Sequence, residues 1–443
     1  MTMRPLVPWL GIAIIVACLW TSERVVRKPE RPNRVVVTYW EKWTKFEGEA
    51  MRAVVDEFNR SQDRIYVDYL SIAAVNSKTL LAASGGVPPD VAGLYDADVA
   101  QFADDNALIP LDDFCREAGI DSSRYIPAYW DICEYGGKVW ALPTTPASTA
   151  LHYNREMLRA AGLDPDRPPT TIEELIDYSD QLLVRDERGR IRKAGFLPQE
   201  PGWWNWAWGY MFGGRLWDGK DTITCDSPEN VRAFEFVMKF SDLYGATDIQ
   251  AFRQGFGAFS SPQNAFMSEK VAMVLQGVWM YNFITEVAPD LDWAVAPFPH
   301  PQDRPDLSEM TFVGLDVLGI PRGARHPKEA FEFIKFVQSQ RGMELLCMGQ
   351  RKHSPLVEVS EDFYKRHPNP YIRLFADLPR GPNAVTPPQF GIWPQYSQEL
   401  AAAIEQVFLK QKTPQEALRD VRIRMQPKLD AYLKTLAQRN RDR

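Results

Sequence analysis

The sequence predicts an α/β protein in which helices flank a mainly parallel sheet. Short apolar runs rich in β-branched and aromatic residues at 35–40, 65–70 and 90–95 alternate with helically spaced segments at 49–58 and 76–84. Regular alternation of strands and helices is typical of parallel sheets whose crossover connections are helices. With 443 residues, the chain is long enough for two or three compact lobes.

The later part of the chain departs from simple alternation. Gly136-Gly137 marks a hairpin turn within 132–142, and a second strand series begins at 150–154. Thr170 and Glu173 form a capping-box pattern for a helix at 171–183. Further elements are expected as strands at 271–276, 293–296 and 315–320, and as helices at 98–106, from 228 to just before 245, at 327–339 and along most of the tail from 395.

Composition and motifs exclude several classes of function. The formal net charge of 51 − 58 = −7 argues against a duplex nucleic-acid binder, which needs a basic face. Only 5 His are present, no CxxC occurs, and the GxSxG, HExxH, Walker and dinucleotide patterns are absent. We therefore expect no metal and no cofactor, and we leave open whether Cys115 and Cys133 form a disulfide.

Aromatic and acidic residues follow the ends of predicted strands. Trp40 and Trp43 come at the end of the first strand, Asp96 and Asp98 follow the third, and Trp279 follows the strand at 271–276. The carboxyl ends of parallel strands face the ligand crevice in open α/β sheets. A flat ring beneath the C–H face of a sugar, with carboxylates at its hydroxyl rim, suits carbohydrate binding.

A second aromatic group lies at 203–208, where tryptophans occupy all but two positions. On a helix, Trp203 and Trp206 would share one face, and Trp204 and Trp208 would share another about 100° away. We therefore predict that Trp203 and Trp206 face the cleft, whereas Trp204 and Trp208 pack inward.

The N-terminus has the pattern of a membrane-targeting segment. An apolar run at 6–20 is too short for a standard spanning helix and is typical of a signal-peptide core. Cys18 follows small residues within it, which indicates a lipoprotein signal; the alternative is an uncleaved anchor. We assign residues 1–20 to the signal or anchor and 21–33 to a charged tether. Both alternatives predict an extracytoplasmic, membrane-tethered protein.

From residue 35 to the C-terminus the sequence resembles the family 1 extracellular solute-binding proteins of ABC importers, the maltose-binding-protein-like group. The resemblance depends on the order and spacing of several segments rather than on any single one. They are the first strand at 35–40, PPDV at 88–91, GKVWALP at 137–143, LHYNREML at 151–158 and AFMSEKVAM at 265–273.

The resemblance implies the two-lobe periplasmic-binding-protein fold of type II, with ligand bound between the lobes. The first lobe would comprise 34–146 and 296–350, and the second 147–295 and 351–443. The ligand-binding residues that it implies, together with the residues considered above, are Trp40, Glu41, Trp43, Asp96, Asp98, Trp203, Trp206, Gln276, Trp279, Gly314 and Asp316.

The function that this implies is capture of a sugar or short oligosaccharide and its delivery to the permease subunits of an importer. We expect the protein to act as a monomer without catalytic residues. One alternative is an exported glycoside hydrolase, which needs two cleft carboxylates about 5–9 Å apart. Another is a receptor for a non-sugar solute such as iron or a polyamine.

Overall fold

The computed structural model describes residues 33–441. The apolar run at 6–20, lipidation of Cys18 and the tether as far as residue 32 lie outside the described residues. Within residues 33–441, none of the helices combines the length and the apolar character that crossing a membrane requires.

The described strands lie between residues 35 and 385. They are β1 Val35–Glu41, β2 Ile65–Ser71, β3 Val91–Tyr95, β4 Glu134–Tyr135, β5 Lys138–Val139, β6 Ala141–Asn154, β7 Val184–Arg185, β8 Ile191–Phe196, β9 Val271–Gly277, β10 Trp293–Ala296, β11 Thr311–Gly319 and β12 Ala384–Val385.

Helices connect most of the strands, and two of them form most of the chain from residue 393 to residue 441. They are α1 Lys45–Ser61, α2 Val75–Ser84, α3 Val99–Asp104, α4 Asp112–Ala118, α5 Pro127–Cys133, α6 Arg155–Ala160, α7 Ile172–Gln181, α8 Pro228–Tyr244, α9 Ala246–Arg253, α10 Met280–Val287, α11 Pro327–Val337, α12 Gln340–Gln350, α13 Glu361–Arg366, α14 Ile372–Asp377, α15 Trp393–Phe408 and α16 Pro414–Arg441.

One continuous sheet connects the two halves of the fold. Its strand order is β2-β1-β3-β11-β6-β9-β8-β7, with β10 paired to β6 and β12 to β11. β1 runs parallel to β2 and β3, which confirms the predicted α/β alternation. Beyond β6, parallel pairing is restricted to β8 with β9, while β6 pairs antiparallel with β9 and β10. The second half is therefore less parallel than the sequence predicts.

The long strand β6 carries the chain from one half of the sheet to the other. It pairs antiparallel with β11, and the register shifts between Leu315 and Val317. The partners of these two residues are Pro146 and Pro143. Proline cannot donate to a ladder, so it concentrates at irregular strand positions. The irregularity sets Asp316 opposite two threonines at the middle of the molecule.

Buried apolar side chains form three main cores. The first core includes Val37, Val54, Leu318 and Phe333; the second includes Leu151, Phe196, Phe240 and Leu418; and the third, around β3 and β11, includes Ala92, Leu94, Phe102 and Val317. Two residues cross the predicted lobe boundaries. Leu356, in the segment predicted for the second lobe, packs in the first core, and Phe312, in the segment predicted for the first lobe, packs in the second core. The lobe boundaries at 146, 296 and 350 stay a prediction.

Several local predictions need correction. Helix α7 is capped by Thr171 with Glu174, one residue later than expected, because Thr171 is the last residue with extended backbone. The helix expected at 98–106 begins as a 3₁₀ turn at Asp96–Asp98 before α3. β11 begins at Thr311 rather than 315. The disulfide that the sequence left open is not formed, since Cys115 and Cys133 are both buried free thiols.

Candidate functional site

A cavity of about 560 Å³ lies above β6 and β11, between the ends of β1 and β3 and the segment after β8. It brings together most of the residues that the sequence singled out, from segments separated by more than 250 positions. The predicted residues that line it are Trp43, Asp96, Trp203, Trp206, Trp279, Gly314 and Asp316.

Two lysines and their acidic partners form the polar wall of the cavity. The Lys42 ammonium lies 3.0 Å from Asp316 Oδ1 and 3.3 Å from Glu41 Oε1. The Lys352 ammonium lies 2.9 Å from Glu47 Oε1 and 3.9 Å from Asp316 Oδ2. Burial alone would lower the pKa of Lys42, but Asp316 and Glu41 outweigh it and raise that pKa. Both ammonium groups are therefore charged and already neutralised by carboxylates.

Asp316 is held in place by the crossing strands. The indole N–H of Trp43 donates to its Oδ2 at 3.2 Å, and the hydroxyl of Thr144 donates to its backbone carbonyl at 2.7 Å. Trp43 is only 4 % exposed and lies under the Lys42 ammonium, 5.1 Å from the ring centroid. The sequence predicted Trp43 and Asp316 at this site but did not indicate that they contact each other.

Asp96 links β3 to the crossing strand. Its Oδ1 accepts from the Ala97 N–H at 2.7 Å, and its Oδ2 accepts from the Leu315 N–H at 3.1 Å. Burial raises the pKa of Asp96 to about 7, against the opposing effect of these two backbone hydrogen bonds. A Cβ at Gly314 would lie 3.0 Å from Asp96 Oδ2, so the absence of a side chain there lets the carboxyl group approach the cavity.

The opposite wall is aromatic. Trp203 is 45 % exposed, and its ring centroid lies 4.7 Å from that of Phe259 and 6.0 Å from that of Trp279. Trp204 stacks on Trp279 at 6.2 Å, and its indole N–H donates to the Leu275 carbonyl at 3.1 Å. Such a wall offers flat apolar faces with few competing polar groups.

The predicted helical arrangement of these tryptophans is wrong in one respect. The chain makes turns from residue 201 to 207 and enters a 3₁₀ helix only at Trp208–Phe212. Without a regular helix, Trp204 lines the cavity beside Trp203 and Trp206, although we expected it to pack inward. Trp208 does pack inward, at 1 % exposure.

Four predicted site residues lie outside the cavity. Trp40 lines a separate surface cavity near Asp90, because adjacent residues of a strand point to opposite faces. Glu41 is fully buried beneath the site and accepts from Tyr39 Oη at 2.5 Å. Gln276 is also buried, and Asp98 accepts a hydrogen bond from Asn76. Ligand contact by these four residues stays a prediction.

Several cavity residues were missed by sequence reasoning. Lys42 lies between two predicted positions, so its place at a strand end was a usable signal. Trp393 and Lys352 come from distant segments and carry no local pattern that would indicate a site. The other cavity residues not predicted include Glu47, Tyr95, Thr145, Trp204, Phe259, Phe283 and Pro387.

Known proteins with similar sequences are named as periplasmic binding proteins. The sn-glycerol-3-phosphate-binding periplasmic protein UgpB of Pectobacterium atrosepticum is 24 % identical over 412 residues, covering 85 % of this chain and 88 % of the relative. UgpB of Escherichia coli K12 is 24 % identical over 418 residues, covering 87 % and 91 %.

Solved structures share the fold. CpMnBP1 with mannobiose bound has a TM-score of 0.76 at 24 % identity, covering 88 % of this chain and 99 % of that one. The sugar-binding protein MalE from Xanthomonas citri has a TM-score of 0.75 at 19 % identity, covering 91 % and 100 %. The family model for bacterial extracellular solute-binding proteins matches residues 44–344. The chain therefore belongs to the family of bacterial extracellular solute-binding proteins.

Proposed function

We propose that this protein is the receptor of an ABC importer and that its cavity binds a neutral saccharide of two or more sugar residues. The observation that carries the proposal is the pairing of a tryptophan wall with a wall of hydrogen-bonding groups across one cavity. Pyranose rings need both, because their C–H faces pack on aromatic rings while each buried hydroxyl needs a partner.

The size of the cavity supports a ligand larger than a single sugar. Its volume of about 560 Å³ falls within the range of about 300–1,000 Å³ typical of small-molecule sites. The aromatic wall extends from Trp393 through Trp206 and Trp204 to Trp203, with Phe259 beyond it. A single pyranose ring cannot cover this aromatic surface, whereas a short oligosaccharide can.

The charges favour a neutral ligand over an anionic one. UgpB is named for an anionic ligand, sn-glycerol-3-phosphate. In this chain the cavity cations Lys42 and Lys352 are paired with Asp316, Glu41 and Glu47. A phosphate would have to displace a carboxylate or lie beside one, and like charges at short range are costly. A sugar hydroxyl can instead hydrogen-bond to both partners of each ion pair.

Binding is favoured over hydrolysis. Asp316 and Glu47, on the cavity wall, form ion pairs with lysines, and both oxygens of Asp96 accept backbone N–H groups. These carboxylates are thus committed to partners within the protein, and the relatives named above are binding proteins. Incubation with oligosaccharides followed by a reducing-end assay is expected to show no cleavage.

We propose the predicted lobes, 34–146 with 296–350 and 147–295 with 351–443, as the bodies that close on the ligand. Differential affinity for the closed state would drive that closure. We further propose that the N-terminus tethers the protein to the membrane, through lipid on Cys18 or an uncleaved anchor. Metabolic labelling with palmitate, with Cys18→Ala as the control, distinguishes these two forms of tether.

The test of the ligand class is a thermal-shift screen of the purified protein. We expect mannobiose, maltotriose or another neutral oligosaccharide to raise the melting temperature in a saturable manner. Glycerol 3-phosphate, polyamines and ferric or zinc ions should leave it unchanged. A saturable response to one of those and to no sugar would overturn the proposal.

A further inference from the structure

The C-terminal helix α16 belongs to the second core for most of its length. Ala417, Leu418, Val421, Met425 and Leu429 are buried in that core at helical spacing. Its last turns continue past the core and reach residues of the opposite side of the molecule. Tyr432 lies at this transition, half-buried, with its ring against the second core.

The hydroxyl of Tyr432 joins α16 to residues next to the third core. It donates to Asp104 Oδ2 at 2.5 Å and lies 2.8 Å from the hydroxyl of Tyr135. Asp104 ends α3 and Tyr135 belongs to the β4–β5 hairpin, whereas Tyr432 is 328 positions from Asp104. Two turns further along α16, the Arg439 guanidinium donates to the Asp104 carbonyl at 2.8 Å. This contact is non-covalent and separate from the strands that cross between the halves.

The Tyr432 hydroxyl also accepts a hydrogen bond from a third segment of the chain, which contains Gly391. The Gly391 N–H donates to Tyr432 Oη at 3.0 Å. A Cβ at Gly391 would lie 2.8 Å from Tyr432 Cε2 and 3.0 Å from Asp104 Oδ2, so only glycine allows this approach. Burial raises the pKa of Tyr432, and the hydrogen bond to Asp104 raises it further, so the phenol keeps the proton that it donates.

Gly391 lies two residues before Trp393, the first residue of α15 and part of the cavity wall. The Trp393 N–H donates to the Phe390 carbonyl at 2.9 Å, which makes the start of α15 continuous with the held segment. The Trp393 ring meets Trp206 edge-on at 5.1 Å. Moving Gly391 would therefore move one end of the aromatic wall.

We propose that Tyr432 is a positioning residue for the cavity, which fastens α16 to Asp104 and thereby holds the Trp393 segment where it meets the ligand. The inference rests on the proposed function, because it takes the cavity as the ligand site. Because this cluster joins the two sides in the arrangement described, it stabilises the form in which Trp393 is part of the cavity wall. Its loss should speed ligand release more than it slows capture.

The test compares Tyr432→Phe with wild type in the full chain, using mannobiose and maltotriose as probes in stopped-flow binding. We expect about a five- to tenfold faster dissociation with little change in the association rate, since one hydrogen bond of typical net strength is lost. Asp104→Asn should act in the same direction, and the double variant should be less than additive.

The matched control is Tyr244→Phe. That hydroxyl bonds to the backbone of Gly195 and Phe196 entirely within the second core. Its loss should lower the melting temperature while leaving dissociation unchanged. If Tyr244→Phe and Tyr432→Phe change the dissociation rate equally, Tyr432 is merely structural and the proposal is overturned.

Amide hydrogen exchange of the ligand-free protein tests this inference independently of the proposed function, because the measurement requires no ligand. Tyr432→Phe should speed exchange in the segment 387–393 and around residue 104, while Tyr244→Phe should not. Failure of wild type to bind either probe would count against the proposed function. The exchange result would still show whether Tyr432 holds the segment 387–393 in place. Unchanged exchange in Tyr432→Phe, or faster exchange with unchanged dissociation of a bound probe, overturns the positioning role.

Discussion

Trp203 is the most exposed tryptophan of the cavity wall, at 45 %. Because so much of its surface faces solvent, Trp203→Ala should leave the ligand-free melting temperature nearly unchanged. Its affinity for a bound saccharide should fall about tenfold, the effect of losing one stacking partner worth about 1 kcal/mol or more. Calorimetric titration measures the affinity. Trp40→Ala is the control, since Trp40 lies outside the cavity, and an equal loss there would contradict the assignment.

Asp96 predicts a pH dependence of stability. The pKa of its carboxyl is about 7 in the folded protein, against about 3.9 in an unfolded chain. Between these values the folded state binds more protons, so the free energy of unfolding falls as pH rises through this window and levels off above it. Asp96→Asn removes this dependence. Melting temperatures between pH 5 and 8 should fall less steeply in the variant, and parallel curves would contradict the buried, protonated form.

Individual residues show which parts of the site the sequence can predict and which it cannot. Trp40 and Trp43 were predicted because they lie at the end of a strand, and Glu41 was implied by the family resemblance; of the three, Trp43 lines the cavity. Strand alternation directs Trp40 to the other face, and the sequence does not say which face carries the cavity. Glu41 is buried beneath the site. Lys352 could not be predicted at all, because its approach to Asp316 depends on how distant segments pack.

At the scale of elements, regular segments were predictable and irregular ones were not. β1, β2 and α1 follow hydrophobic periodicity and appear within a few residues of expectation. The turns at 201–207 could not be predicted in this way. An aromatic-rich run fits a helical pattern equally well, and tertiary contacts decide the path of the chain there. The irregular register of β6 against β11 arises between strands far apart in sequence, which local patterns do not report.

Strand β3 contains a position that only glycine can occupy. A Cβ at Gly93 would lie 2.0 Å from Glu41 Oε2, the buried carboxylate that supports Lys42. Gly93→Ala must displace that carboxylate or the backbone, and we expect destabilisation of at least about 1–3 kcal/mol, measured by urea unfolding. Gly255→Ala is the control, because its Cβ would meet its nearest neighbour at 3.5 Å. Equal effects of the two substitutions would show that Glu41 is free to move.

For the whole molecule, the sequence predicted the family and the two-sided cleft through the order and spacing of many weak motifs. It did not predict that Pro387 and Trp393 line the cavity, or that Tyr432 near the end of α16 donates a hydrogen bond to Asp104. Those contacts join parts separated by up to 328 positions, and they depend on the assembled fold.

Closure should be visible in the shape of the molecule. Because the ligand is expected to contact both walls, a saturating saccharide should favour the closed arrangement over any open form. Small-angle scattering of the purified protein should give a smaller radius of gyration with saccharide than without it. An unchanged radius of gyration despite saturable binding would contradict closure on the ligand.

The central claim is that the cavity selects neutral oligosaccharides through its tryptophan wall and its neutralised lysines. Isothermal titration of wild type with mannobiose, maltotriose and glycerol 3-phosphate, repeated with Trp204→Ala, tests it most directly. We expect saturable binding of at least one oligosaccharide, loss of about tenfold or more in affinity in the variant, and no binding of glycerol 3-phosphate. Binding of glycerol 3-phosphate alone, unaffected by Trp204→Ala, would contradict the account.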